Sequence, residues 1–206
     1  MLTKKRMAKI MEMVRKDVYV SVKDLTEVLQ TSRSSVVRDL MELESQGLIY
    51  IDSGTTAMYL MEYVYDKKIT VVTPNTYLLS KIPEDFQGKL FLVGGEVSLK
   101  NGTTKGPLTE AVLGQFYFDT AFLTANGISI GRNEAYVFDF EIGAVKKEVL
   151  KRSAKSCLLI DRSKFDVKAI CTWAKLEAFH TIYVDEVPDE DHPPDNVVNC
   201  EREEIL

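Results

Sequence analysis

An α/β protein in two parts is predicted by three features of the sequence. Apolar residues recur at helical spacing in three short stretches of the first fifty residues. Beyond them, short apolar runs recur, each followed by a polar or glycine-rich loop. Helical stretches fit between those runs. The expected organisation is an all-α helix-turn-helix domain over residues 1–50, then a mostly parallel α/β domain over residues 51–206.

The helices of the first part follow in order. Met7, Ile10, Met11 and Val14 are spaced i, i+3, i+4, i+7 and form one apolar face. Ser21 is placed to cap a second helix lined by Val22, Leu25 and Leu29. Thr31 or Ser32 caps a third, whose apolar face is Val36, Leu40 and Leu43, and Gly47 ends it. A tight break between the second and third helices is the helix-turn-helix pattern, in which the later helix reads base edges with its N-terminal residues. Those residues are Ser32, Arg33, Ser34, Ser35 and Arg38, within an acid-free run. Arginine bonds guanine edges bidentately and serine reaches bases or phosphates. Lys4, Lys5 and Arg6 suit phosphate contacts.

In the second part six runs read as strands: "LIYIDSGTT", "ITVVTPNT", "LFLVGGEV", "TAFLTANGIS", "CLLIDRSKF" and "TIYVDEV". Between them, Ala57, Leu60, Met61 and Val64 form one apolar helix face. Leu108, Ala111 and Val112 form another, and Ile142, Val145 and Val149 a third. Buried strands alternating with helices imply a parallel sheet covered on both faces. In such sheets ligands bind beyond the carboxyl ends of the strands. The loops expected to gather there begin at Asp52, Thr73, Gly94, Asn126 and Asp161.

"DSGTT" is the most informative of these loops. Gly54 permits a tight turn and close approach of an anion, and the amides of Gly54, Thr55 and Thr56 open the next helix. Asp52 suits a sugar hydroxyl, or bracing of the loop. The P-loop pattern is absent.

Composition sets outer bounds. The chain has 206 residues, 45% of them hydrophobic and 28% charged, as in ordinary globular proteins. No apolar run is long enough to span a bilayer, and the N-terminus lacks the apolar core of a signal peptide. A cytoplasmic protein is expected. Cys157, Cys171 and Cys200 are widely spaced and expected as free thiols; with only His180 and His192 besides, no metal site and no cofactor are expected. The net charge of -5 is unevenly spread. Residues 1–50 carry nine Lys/Arg against seven Asp/Glu, a net of +2, which leaves -7 for the rest. A basic head on an acidic body directs nucleic acid to the head.

"SVKDLTEVLQTSRSSVVRDLMELESQGLI" resembles the winged helix-turn-helix of DeoR-type bacterial transcription regulators. Ser32, Ser35, Val36, Arg38, Asp39 and Leu40 match or approach the family's recognition helix. Val37 stands where the first of two paired arginines is usual, and the usual wing is absent after Tyr50. From residue 51 to about 187 the chain resembles the DeoR-type effector domain, which shares the fold of ribose-5-phosphate isomerases and coenzyme A transferases. The matching segments are IDSGTT, VVTPNT, LVGGEVS, KGPLTEAVL, FDTAFLTANGIS, EIGAVKKEVL and DRSKF.

The resemblance implies a DNA-binding regulator that represses sugar-metabolism genes under control of a phosphorylated sugar. It implies that Asp52, Gly54, Thr55, Thr56, Asn75, Gly94, Gly95, Gly106, Asn126, Gly127, Glu141, Lys146 and Lys164 surround that effector. The expected partners are an operator duplex, the phosphosugar and further copies of the chain, as a dimer or tetramer. Two rivals remain. One is a sugar-phosphate isomerase, against which "TANGIS" stands where such enzymes carry paired acids, although Asp139 and Glu141 remain as bases. The other is a ligand-binding protein that has lost DNA binding.

"GLIYIDSGTT" is the seam. In the resembled family several tens of residues separate the two domains; here they touch. Either Leu48–Ile51 is itself the first strand, or a linker is missing between Tyr50 and Ile51. A strand that carries a bulky head at its start is awkward inside a covered sheet, so the missing linker is the favoured expectation.

Overall fold

Seven parallel strands, in the order β12-β11-β9-β6-β1-β2-β3, form the main sheet of the computed structural model. They are β1 (Leu48–Ile51), β2 (Thr70–Thr73), β3 (Lys89–Leu92), β6 (Phe118–Thr124), β9 (Ser153–Ile160), β11 (Thr181–Val184) and β12 (Val197–Asn199). The structure describes residues 47–188 and 193–200. The three expected helices and the expected DNA-reading residues Lys4, Lys5, Arg6, Ser32, Arg33, Ser34, Ser35 and Arg38 lie outside the described residues. Two compact units divide the chain, Met1–Gly47 and Leu48–Leu206.

All six expected strands are in this sheet; β12 is an addition. The seam has a definite place. Leu48, Ile49 and Tyr50, which the sequence reading gave to the first domain, pair with Thr70, Val71 and Val72 of β2. Ile49, Tyr50 and Ile51 pair with Thr120, Ala121 and Phe122 of β6 on the other side. Leu48–Ile51 therefore is the strand, inside the sheet between β2 and β6, and the second unit starts three residues earlier than expected. Its side chains alternate between two cores, as the period of a strand requires. Tyr50 joins Val72, Leu123 and Leu158 on one face. Ile49 and Ile51 join Val71, Met61 and Leu78 on the other.

Four α-helices are present among the described residues: α1 (Thr55–Met58), α2 (Met61–Val64), α3 (Pro107–Leu113) and α4 (Phe140–Lys151). Ile142, Val145 and Val149 of α4 are buried, as their spacing predicts. The helix expected over Ala57–Val64 is instead two short pieces, α1 and α2. The amides of Leu60, Glu62 and Tyr63 bond back three residues, not four, which tightens the chain between them. In α3 the expected face is partly wrong: Val112 packs against the larger core, but Leu108 and Ala111 are exposed while Thr109 and Leu113 are buried. Thr109 can face inward because its hydroxyl is satisfied by the carbonyls of Gly94 and Lys105.

Two antiparallel additions were not legible in the sequence. β4 (Glu96–Ser98) and β5 (Thr103–Lys105) form a hairpin. β7 (Gly127–Ser129), β8 (Glu134–Val137) and β10 (Cys171–Lys175) form a three-stranded sheet in the order β10-β8-β7. A bulge between Thr172 and Ala174 makes Trp173 the extra residue of β10. Bulges re-aim side chains, and Trp173 is buried in the larger core, its ring 5.5 Å from that of Phe179. β3 was expected as a covered strand; it is the sheet's edge, with Phe91 and Leu92 exposed.

Leu158 of β9 is fully buried in the larger core. Leu158→Ala should cost about 2–5 kcal/mol, the transfer term plus the cavity left behind. Urea unfolding followed by circular dichroism measures it; a loss well under ~1 kcal/mol would contradict this core assignment.

Candidate functional site

The order in which the chain adds parallel strands to the sheet reverses between β1 and β6. From β1 the order runs outward through β2 to β3; from β6 it runs the other way through β9, β11 and β12. The loops after two such neighbours diverge, and the crevice between them is where open parallel sheets bind ligands. A cavity of about 230 Å³ lies there. Ser53, Gly54, Thr55 and Thr56 line it from the loop after β1, and Thr124, Ala125 and Asn126 from the end of β6. Leu159, Ile160, Asp161 and Lys164 come from the end of β9, Ile142 and Lys146 from α4, and Asn101 from the β4–β5 hairpin.

Asp52 lies beneath this cavity, 1% exposed. One carboxylate oxygen accepts from Lys146 Nζ and from the Thr124 amide, at 2.8 Å for the amide, and lies 3.0 Å from the Thr124 hydroxyl. The other accepts from the Ser53 amide at 2.8 Å and the Tyr50 hydroxyl at 3.3 Å. A carboxylate offers about four lone-pair sites, and these donors fill them. Of the two roles the sequence left open, Asp52 braces the loop. Burial, and then the Asp52 carboxylate, pushes the Tyr50 phenol well above its usual range, so Tyr50 remains a donor.

Lys146 is buried as well, and its ammonium also donates to the carbonyl and hydroxyl oxygens of Thr124, each at 3.1 Å. It lies 5.7 Å from the centroid of the Trp173 ring, within cation–π range. The indole N–H of Trp173 is buried and has no hydrogen-bond partner among the described residues.

Asn75 is fully buried and works from behind the loop. Its Nδ2 donates to the carbonyls of Asp52 and Gly54, both at 3.2 Å, and its Oδ1 accepts from the Tyr77 amide. Gly54 has φ +111°, which only glycine adopts readily. Of the sequence-derived site residues, Gly54, Thr55, Thr56, Asn126, Lys146 and Lys164 line the cavity. Asp52 and Asn75 support it. Gly94 and Gly95 lie outside the lining, at the turn from β3 to β4. Gly106 caps α3. A Cβ on Gly127 would sit 1.9 Å from the Val167 carbonyl oxygen, so glycine is there for close backbone packing.

Glu141 also lies outside the lining. It binds Lys105 Nζ at 2.8 Å, and Asp139 binds the same ammonium at 2.8 Å. Asp139 caps α4 by accepting from the amides of Glu141 and Ile142. Burial alone would raise the Asp139 carboxyl; Lys105 and the two amides outweigh it and hold it below the usual range. Hydrogen bonds to Asp139 and Glu141 push Lys105 above its usual value.

The expected site residues left out Ser53, Asn101, Thr124, Ala125, Ile142, Leu159, Ile160 and Asp161 of this lining, although Ser53 and Asp161 fall in loops expected at the strand ends. Thr124 had a signal, since it precedes Asn126 at a strand end. Asn101 had none, because the hairpin that carries it was not foreseen.

Two family matches cover most of the chain. Residues 38–186 match the DeoR C-terminal sensor domain, and residues 6–54 match the DeoR-like helix-turn-helix domain. The chain belongs to the DeoR family. It is 22% identical to the transcriptional repressor AccR of Agrobacterium fabrum, over 89% of this chain and 90% of that protein. It is 24% identical to the glycerol-3-phosphate regulon repressor of Escherichia coli, over 87% and 89%. It is 27% identical to the L-fucose operon activator of Haemophilus influenzae, over 85% and 69%. A solved ribose 5-phosphate isomerase from Methanocaldococcus jannaschii aligns with 62% of this chain and 51% of its own, at 14% identity and a TM-score of 0.37.

Within its alignments to AccR and to the glycerol-3-phosphate regulon repressor this chain is the shorter of each pair. The alignment to AccR runs over 231 positions, and 89% of 206 residues is about 183, so about 48 positions have no residue here. The two family matches overlap over residues 38–54, across the seam. Among the described residues no helix is long and apolar enough to cross a membrane, and no group of three or more His, Cys, Asp or Glu could hold a metal ion.

Two outcomes follow from this geometry. Lys146→Met leaves Asp52 buried without its counter-charge and should destabilise the fold by about 3–5 kcal/mol in urea unfolding. Adding Asp52→Asn should return part of that loss; additive losses would contradict a direct pair. The second outcome concerns pH. Asp139 is depressed in the folded chain, so its stabilisation is present above the unfolded value near ~3.9 and is lost as pH falls through the lower folded value. Lys105→Met should move the Asp139 titration, read by carboxyl ¹³C NMR, to higher pH; an unmoved titration would contradict the contact.

Proposed function

We propose that this DeoR-family chain is a cytoplasmic transcriptional repressor of sugar-metabolism genes, released from its operator by a phosphorylated sugar bound at the β1/β6 switch point. The observation that carries the effector reading is the cavity's lining. Thr55, Thr56 and Asn126 offer polar groups at its edge, and Lys164 offers a half-buried cation. Lys164 lies 3.6 Å from Asp161 and donates to Ser163 Oγ, so it is held at the rim without a saturating partner. The amides of the first turn of α1 have no acceptors within the helix. Hydroxyls, amides and one cation suit a phosphate; Asn126 and Asp161 suit sugar hydroxyls.

DNA would be contacted by Lys4, Lys5, Arg6, Ser32, Arg33, Ser34, Ser35 and Arg38, with Arg38 the residue best suited to a base edge. The effector acts by linkage: it alters operator affinity only as far as it binds one conformation better than the other. Catalysis is the weaker reading. Isomerisation needs a base free to reach a substrate carbon. Asp52 is saturated, and Asp139 and Glu141 are held by Lys105.

A thermal-shift screen of phosphorylated against unphosphorylated sugars tests the proposal. A ligand at a hundred times its Kd stabilises by about 2.7 kcal/mol, which for a domain of this size raises Tm by about 5–10 °C. The shift should appear with phosphorylated sugars alone, vanish in Lys164→Glu, and weaken operator binding. A shift with unphosphorylated sugars, or one kept by Lys164→Glu, would overturn it.

A further inference from the structure

Phe138, Phe140 and Ile170 lie together on the surface, 54%, 73% and 79% exposed. Their neighbourhood follows from the backbone. Cys171 pairs with Val137 in the antiparallel β8–β10 ladder, so Ile170 and Phe138 lie one step beyond that pair. Asp139 is extended, at φ -125° and ψ 121°, so Phe138 and Phe140 on either side of it project the same way. Three large apolar side chains at these exposures present on the order of 400 Å². That reaches the size of the largest apolar patch on a typical monomer, which is commonly a functional one.

We propose that this patch is the centre of a two-fold interface between copies of this chain. Area argues for a second copy. A standard interface takes about 800 Å² from each partner, a little over half of it apolar. About 400 Å² of apolar centre within a polar rim matches that share. Polar residues are at hand on α4, where Glu141, next to Phe140, is half-buried and Lys147, two turns on, is exposed. Opposite charges on one rim allow the same surface to meet itself, as two-fold contacts require. The head argues the same way, since helix-turn-helix proteins read paired half-sites as dimers.

The interface would adjoin the cavity. Asn126, which lines the cavity, accepts through Oδ1 from the Phe138 amide at 3.1 Å. Asp139, between the two phenylalanines, caps the helix that carries Lys146. A ligand that shifts Asn126 therefore acts on the backbone of the interface.

Sedimentation equilibrium of the full chain across the micromolar range tests this. The wild type should show a multiple of 23.3 kDa. Phe138→Ser with Phe140→Asp should halve that mass while keeping the wild-type circular dichroism. A monomeric wild type, or a folded variant of undiminished mass, overturns the proposal. Should the double variant not fold, Ile170→Asp and hydrogen exchange of the wild type decide. Amides at 137–141 and 169–171 should slow with rising protein concentration. Exchange independent of concentration would leave the patch open, or covered by the chain's own N-terminal unit, and overturns the proposal equally. None of these readouts requires a phosphosugar, so failure here is distinct from failure of the effector reading.

Discussion

The buried contact between Asp52 and Lys146 is the constraint on which the site depends. An ion pair away from water is a poor source of stability unless every remaining lone pair and proton is satisfied. Here they are satisfied by the residues that must be held in place. Asp52 follows β1 directly, Thr124 ends β6, Ser53 opens the loop, and Lys146 arrives from α4. The arrangement therefore fixes both sides of the crevice. It also removes two charged groups from ligand chemistry and leaves Lys164 as the cation at the rim. The same network explains Asn75, which ties the backbone of the Asp52 loop to β2.

Much of this was legible in the sequence, for physical reasons that differ by element. The covered strands are short apolar runs ending in turn residues, and such runs have few alternative fates. The spacing of Ile142, Val145 and Val149 gave the inner face of α4 directly. α3 misled because a satisfied hydroxyl, on Thr109, was buried in preference to Leu108. β4, β5, β7, β8 and β10 are short, mixed in polarity and paired locally, so no periodicity announced them. The resemblance names Lys146 among the residues around the effector, and only the fold reveals that its partner, Asp52, lies 94 residues away. The seam was misjudged because a central strand entered directly from another domain was thought awkward. Tyr50 and Ile51 are fully buried there nonetheless.

The segment from Asn126 to Asp139 gives the regulatory reading its physical content. Asn126 lines the cavity, Phe138 bonds to it, Asp139 caps α4, and Phe138 and Phe140 face outward. Ligand cavity, buried ion pair and apolar surface thus share one short stretch of backbone. Coupling between distant sites requires an element that both bias, and β8 with the start of α4 is placed to be that element. Lys105 holds its far side through Asp139 and Glu141, a contact weakened by acidification as Asp139 is protonated.

In the proposed reading, Asp52 and Lys146 form a fixed floor beneath a bound phosphorylated ligand. A crystal structure of the chain with a phosphorylated sugar that stabilises it tests this most directly. The phosphate should lie among Thr55, Thr56 and Lys164, with the Asp52–Lys146 contact intact beneath it. A phosphate bonded to Lys146, with Asp52 released from the Thr124 and Ser53 amides, would contradict it.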